Sequence, residues 1–304
     1  MLNQLPQAVF VERTHCINCG SPDVIELSSG HYTDQPLHGF LAADPWGEDP
    51  LPYLQSATWS LAKCATCSQV FHRRILNEEW NERRFTMWMN AQSIVEFEKR
   101  RGAAFPRAFA AATGHLEHIL RIEEMTKGVR PNDQPVRLLD FGCGFGSFIE
   151  TCVNFGFQAE GIDRSIGRRS EAKVHITPTL DKIDGRFHAV TLFEVLEHLD
   201  DPSGVLEALS TRIVPGGILV LETPDCTGVT NIETHRDYLL VHPLEHINCF
   251  TNQTLISIAK RTGFEHIARA PAFALANSMR ATKRLAKYAL RQDGRSTQLY
   301  FRKS

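Results

Sequence analysis

The chain has 304 residues, 42% of them hydrophobic and 22% charged, with a formal net charge of −2. That length and apolar content call for one large domain plus a smaller module, and the near-neutral balance gives no sign of a nucleic acid as partner. Residues 1–15 lack a basic region followed by an apolar run, and no stretch nears the roughly 18 uninterrupted apolar residues of a membrane span, so a cytoplasmic protein is expected.

In chain order, residues 1–75 show few periodic patterns but carry two tight cysteine pairs, Cys16-Ile-Asn-Cys19-Gly and Cys64-Ala-Thr-Cys67. Two C-x₂-C knuckles supply four thiolates, enough to close a tetrahedral structural Zn²⁺ site, and the glycine after Cys19 suits the knuckle turn. The interval between the pairs exceeds the usual compact spacing, which a long inserted loop can bridge at little entropic cost. Two unrelated buried pairs or a redox C-x-x-C are the alternatives, and no βαβ pattern around the pairs favours the latter. Residues 30–53, rich in Gly, Pro, Asp and His, read as a long loop. Residues 77–127 read as helical. Ile94, Phe97 and Glu98 mark one helix, and Phe109, Leu116, Ile119, Leu120 and Ile122 mark a second. VRPNDQP (129–135) is a turn-rich linker.

The texture changes at Val136. VRLLDF is a short apolar strand, SFIETCVNFG a helix closed by Gly156, and FQAEGID a second strand; FHAVTLFEV and GGILVLET are two more. TNQTLISIAKRTGF is a helix ending before Gly263, and QLYFRK is a closing strand. Alternating strands and helices predict βαβ units and a mostly parallel sheet. Between the first strand and its helix stands Asp140-Phe-Gly142-Cys-Gly144-Phe-Gly146. Glycines at that place allow a tight turn and close approach of a ligand to backbone N–H groups at a helix N-terminus. Gly161-Ile-Asp163 follows, with an acid placed at a strand tip to accept ribose hydroxyls. The G-x-G-x-G spacing departs from the dinucleotide fingerprint G-x-G-x-x-G.

With LLDFGCGFGSF (138–148), GID (161–163), FEVLEHLDDP (193–202), PGGILVLETP (215–224) and HPLEHINCFT (242–251) in this order, the sequence resembles the class I S-adenosylmethionine-dependent methyltransferases over roughly residues 130–270. The resemblance implies a Rossmann-like α/β sheet with helices on both faces. It implies cofactor contacts from Asp140, Gly142, Gly144, Gly146, Asp163 and Glu194. A C-x₂-C-G…W…C-x₂-C head, with Trp59 in the matching place, resembles that of the deoxysugar C-methyltransferases and implies a structural zinc held by Cys16, Cys19, Cys64 and Cys67. The expected organisation is a zinc-ribbon-like module over 1–75, a helical connector over 76–128 and the methyltransferase domain over 129–304.

Methyl transfer is an in-line displacement, helped by a general base when the acceptor carries a proton. The candidates are Glu194, Glu197, His198, His235, His242, Glu245 and His246. The resemblance to the sugar C-methyltransferases implies that His246 takes the acceptor proton, with Glu245 orienting or charging it; Asn248, two residues on, can help fix the ring or the acceptor. A half-buried histidine packed on Phe250 is the alternative. Glu197 and His198 either cap the turn after the fourth strand or, with Glu194, hold a divalent metal, as the similarity to some quinone O-methyltransferases implies. The expected acceptor is a small molecule, such as a sugar nucleotide or secondary metabolite, with O-methylation of another small polar substrate as runner-up. Docking of a protein or RNA through the zinc module is a third reading. The acidic insert with Asp34, Asp44, Glu48 and Asp49 speaks against RNA. The run Lys99, Arg100, Arg101 is short, and the basic stretch 280–295 can meet a phosphate or water.

Overall fold

The structure is a computed structural model and describes residues 5–90, 92, 93, 96, 104–268 and 296–304. The helix expected around Ile94, Phe97 and Glu98, the run Lys99, Arg100, Arg101, and the stretch 280–295 lie outside those residues. The chain forms two compact units. The first takes residues 1–104, 197–203 and 224–255; the second takes 105–196, 204–223 and 256–304. This interleaving differs from the linear division expected at 75 and 128. The difference arises because Asn248–Cys249 pairs as a strand with Val70–Phe71, and residues 197–203 are tied to the N-terminal part by side-chain hydrogen bonds such as Arg13 to the Asp200 carbonyl and Ser203 to the Ile17 carbonyl; neither leaves a mark in local composition.

In the first unit, strands β1 (Phe10–Glu12), β2 (Val24–His31), β3 (Thr58–Cys64), β4 (Val70–His72) and β5 (Arg74–Leu76) come from the N-terminal part. β2, β3 and β4 form an antiparallel sheet that the late strand β11 (Asn248–Cys249) completes, in the order β11-β4-β3-β2, while β1 pairs with β5. β2 and β3 are a long hairpin in register from Val24↔Cys64 to His31↔Thr58. Residues 32–57 join its far end. They hold helix α1 (Leu37–Ala43) and a 3₁₀ turn (Leu51–Tyr53), so the segment 30–53 is not the uniform loop its composition indicates. Leu37 and Leu41, one helical turn apart, are buried with Tyr32, Trp59, Trp80 and Trp88, and that burial outweighs the loop-forming residues around them. Helix α2 (Glu78–Arg83) starts where the Asn77 side chain accepts from the Trp80 amide at 3.0 Å, with Glu78 and Glu79 at its positive end.

The second unit is a seven-stranded sheet. Its strands are β6 (Arg137–Phe141), β7 (Gln158–Ile162), β8 (Ile176–Thr177), β9 (Phe187–Phe193), β10 (Ile213–Pro224), β12 (Phe264–His266) and β13 (Ser296–Lys303). Their order is β12-β13-β10-β9-β6-β7-β8. The pairs from β10 to β8 are parallel and β12 runs antiparallel to β13. Parallel strands covered on both faces need near-continuous apolar runs, and Leu138, Leu139, Val190, Leu192, Leu219 and Leu221 are fully buried. Helix α3 (Ala104–Thr126) packs Ile119, Ile122 and Met125 on this core, whereas Leu116 and Leu120 face solvent. The buried stripe is therefore offset by one residue from part of the spacing read in the sequence. Helix α4 (Ser147–Asn154) follows the glycine loop, and Gly156, at φ +85°, turns the chain into β7. From β6 the order runs outward to β7 in one direction and to β9 in the other. The carboxyl ends of β6 and β9 thus flank the topological switch point where such sheets bind ligands. Among the described residues no helix is long and apolar enough to cross a membrane.

Candidate functional site

At the switch point of the second unit, Gly142, Gly144 and Gly146 all have positive φ. At Gly142 a Cβ would stand 2.4 Å from Val195 Cγ2, so no side chain fits. At Gly144 nothing lies within 4 Å of that position, which leaves the backbone open to a ligand. The buried carboxylate of Asp163 shapes this loop. Its Oδ2 accepts from the Gly144 amide at 2.9 Å and its Oδ1 from the Ser165 amide at 2.8 Å. Asp140, at the end of β6, accepts from the Thr191 hydroxyl at 2.7 Å. Burial pushes its carboxyl up to about 7; the Thr191 hydrogen bond opposes the rise and the Asp163 charge adds to it. Glu194, just after β9, is exposed and held at φ +54°, with its amide donating to the Glu222 carbonyl at 2.9 Å. A glutamate in the left-handed region costs about 1–3 kcal/mol and is met mostly where function demands the geometry.

In the first unit the four knuckle cysteines converge. Cys16 and Cys67 sulfurs are 3.5 Å apart, as are those of Cys19 and Cys64, and all four lie within 4.8 Å of one another. Disulfide sulfurs would be about 2.05 Å apart, whereas thiolates about 2.3 Å from one tetrahedral ion stand roughly 3.8 Å apart. The donor set and spacing fit zinc. The hairpin explains the long interval: Cys19 precedes β2, Cys64 ends β3, and the 32–57 insertion sits at the opposite end.

A second convergence in the same unit joins residues distant in sequence. Glu197, His198 and His246 each bring a ligand atom within 4.8 Å of the others. Glu197 is buried, its Oε1 3.8 Å from His198 Nε2, and the imidazoles of His198 and His246 have centroids 5.0 Å apart. Three contacts hold the segments together. The Asn248 side-chain amide donates to the Leu199 carbonyl at 2.7 Å, and Asn248 Oδ1 accepts from Arg13 at 2.7 Å. Arg13 also reaches the Asp200 carbonyl at 3.5 Å. Through the bonds to Leu199 and Arg13, Asn248 positions the backbone of the 197–203 segment. The main-chain carbonyl of Glu245 pairs with His198 Nδ1 at 2.8 Å, while its carboxylate lies 3.7 Å from Arg84. Burial drives the His246 imidazole down to about 4 against the Glu245 carboxylate, which raises it. Burial, then the neighbouring His246 and Arg84, hold His198 well below the ordinary value. Both rings are therefore neutral at physiological pH, a state that binds protons or cations through a lone pair.

Among the described residues, the carboxylate and imidazole ligand atoms that converge are those of Glu197, His198 and His246, a different set from the alternative trio Glu194, Glu197 and His198. The signal for the observed set is a pair of Glu-His dipeptides, Glu197-His198 and Glu245-His246. A further network escaped the sequence reading. The Tyr238 hydroxyl donates to the Asp44 carboxylate and lies 2.6 Å from His242 Nε2, which is 3.2 Å from the same carboxylate. The i, i+4 spacing of Tyr238 and His242 was its only local trace.

A protein-family profile described as Methyltransferase domain matches residues 114–269, just over half of the chain. Among curated proteins, the chain is similar to the ubiquinone biosynthesis O-methyltransferase of Dechloromonas aromatica, with 37% identity over 101 residues, 29% of this chain and 44% of that protein. The corresponding protein of Colwellia psychrerythraea is 32% identical over 102 residues, 29% of this chain and 42% of that protein. The chain spans less than half the length of these two relatives. Among solved structures, an S-adenosylmethionine dependent methyltransferase from Mesorhizobium loti shares 19% identity, with 59% of this chain and 95% of that chain covered and a TM-score of 0.41. An amino pentose methyltransferase from Micromonospora echinaspora shares 17% identity, with 65% and 96% covered and a TM-score of 0.42.

Proposed function

The chain belongs to the methyltransferase domain family, and from that premise we propose that it transfers a methyl group from S-adenosylmethionine to a small polar acceptor. The observation that carries this reading is the glycine loop at the switch point: an open backbone at Gly144 clamped to the buried carboxylate of Asp163. When bound, S-adenosylmethionine supplies a methyl group made electrophilic by the sulfonium. Gly142, Gly144 and Gly146 shape the backbone that receives its amino-acid end. Asp163 accepts from the ribose with the lone pairs left over from its two backbone bonds, and Asp140 and Glu194 border the loop.

Proton removal from the acceptor depends on His246, within the group it forms with Glu197 and His198. Burial keeps the His246 ring neutral, so a lone pair is available for that work, at a basicity below that of a free imidazole. Glu245 serves it by fixing the His198 ring through its carbonyl. Cys16, Cys19, Cys64 and Cys67 hold a structural zinc that ties the knuckles to the β2–β3 hairpin.

The acceptor is a small molecule such as a sugar nucleotide or other secondary metabolite. O-methylation of a hydroxyl is the second reading, favoured by the curated relatives, which are named as O-methyltransferases. The test is a panel of sugar nucleotides and hydroxylated small molecules incubated with methyl-labelled S-adenosylmethionine and read by mass spectrometry. A labelled product whose formation requires Asp163 supports the proposal. Binding of a nicotinamide dinucleotide in preference to S-adenosylmethionine overturns it.

A further inference from the structure

We propose that Glu197, His198 and His246 form a divalent-cation site, separate from the four-cysteine centre, in which one carboxylate and two imidazoles bind an ion such as Mn²⁺ or Fe²⁺. The geometry lies wholly within the first unit. The three ligand atoms are mutually within 4.8 Å, with Glu197 Oε1 and His198 Nε2 already 3.8 Å apart. Ligands about 2.1 Å from an ion stand roughly 3–3.5 Å apart, so small side-chain rotations close the set.

Two further observations point the rings at an ion. His198 Nδ1 lies 2.8 Å from the Glu245 carbonyl, which fixes its proton there and leaves the Nε2 lone pair facing Glu197. A backbone carbonyl on the far nitrogen is the usual support of a metal-binding histidine. His246 engages the carbonyls of Leu239 and Leu240, while its buried Nδ1 has no hydrogen-bond partner. The nearby His242 is the contrast. Its Nε2 is taken by Tyr238 and Asp44, and its Nδ1 accepts from the Leu244 amide at 3.2 Å, so it has nothing left for a ligand. Arg84 brings a positive charge to the surroundings, and the Glu245 carboxylate 3.7 Å away offsets it.

Nitrogen and carboxylate donors suit borderline and harder divalent ions, whereas the thiolate centre selects softer ones. Two chemically distinct sites in one unit therefore take different metals. The site itself rests on this geometry alone. Its role rests on the methyl-transfer reading and makes His246 act there as a ligand in place of a base: the cation it helps to hold polarises an acceptor hydroxyl, which sheds its proton to water nearer neutral pH.

The experiment titrates Mn²⁺ into the zinc-containing 304-residue chain stripped of other divalent ions, with free Mn²⁺ read by electron paramagnetic resonance. Mn²⁺ is the first-row ion least drawn to the thiolate centre. The expected result is one bound Mn²⁺ per chain, with affinity lowered at least about tenfold in His198→Gln and in His246→Asn, roughly the loss of one well-supported ligand. Zinc content and melting temperature should stay at wild-type values. Glu197→Gln should do the same; if burial of the amide unfolds that variant, the two histidine variants decide. No bound Mn²⁺ at millimolar concentration, or binding undiminished in both histidine variants, overturns the site. Either result leaves methyl transfer itself standing, because the readout involves no turnover. Absence of methyl transfer alongside ligand-dependent Mn²⁺ binding removes the role and keeps the site.

Discussion

The second unit buries apolar strands side by side, with Leu138, Leu139, Val190, Leu192, Leu219 and Leu221 fully enclosed, and positions its loop by backbone shape. The first unit has an apolar cluster too, but its functional groups are held by point contacts: four cysteines around one centre, Arg13 spanning Asn248 and Asp200, and a carbonyl under His198. Burial energy is spread over many side chains and tolerates a volume-conserving apolar exchange at any one of them. Point contacts are not redundant. The first unit should therefore be sensitive to single polar substitutions, and the second to changes of backbone geometry and buried charge.

The largest effect expected in the first unit falls on turnover. His246→Ala should lower the turnover rate by roughly 10²–10⁴-fold, with S-adenosylmethionine affinity unchanged because the glycine loop and Asp163 stay intact. Single-turnover kinetics at saturating cofactor, paired with a melting curve, separate lost chemistry from lost folding. A stable variant that methylates at the wild-type rate would erase the functional half of the comparison.

Next in size is the proposed zinc site of the four cysteines. Cys64→Ser should release zinc and destabilise the first unit by more than about 4 kcal/mol, the scale on which loss of a metal is felt. Hydrogen exchange would rise at β3 and β4 while the amides of β6 and β9 keep their protection. Equal loss in both units would mean that they do not differ in what holds them.

Asp140 supplies the smallest effect, on the second unit. Its carboxyl binds a proton more tightly in the folded protein, titrating at about 7 instead of the ordinary 3.8. Between those values the folded state holds more protons than the unfolded state, so this group's contribution to stability falls as pH rises through the window and is level above it. Asp140→Asn keeps the oxygen facing the Thr191 hydroxyl and removes the titration. Its melting temperature relative to wild type should climb from about pH 4 to about pH 7 and then stay constant. A constant difference across that range would show that Asp140 is not the buried acid described.

The two units also differed in legibility. β6, β7, β9 and β10 were plain in the sequence because a strand buried on both faces must be a continuous apolar run, and the glycine loop with Asp163 was plain because tight turns restrict residue choice. The hairpin of β2 and β3 was hidden, since VIELSSGH has few apolar residues and one mostly accessible edge. That hairpin is also why a 45-residue offset from Cys19 to Cys64 can still close one site. His246, Glu197 and His198 were each singled out, but not as one group, because the contacts that bring their segments together run through Arg13 and Asn248, which are far apart in the chain. The interleaving at 197–203 and 224–255 was invisible for the same reason: tertiary pairing, not local pattern, assigns those segments.

The most direct test of the account is calorimetric titration of S-adenosylmethionine into Asp163→Ala and His246→Asn in parallel with wild type. The account assigns the cofactor to the loop that Asp163 clamps and assigns acceptor chemistry to His246. It predicts that Asp163→Ala weakens binding by roughly 10- to 10²-fold, the loss of one or more charge-assisted hydrogen bonds worth roughly 1.5–3 kcal/mol each. It predicts that His246→Asn binds as wild type does. Unchanged affinity in Asp163→Ala, or a loss in His246→Asn as large as that in Asp163→Ala, would contradict it.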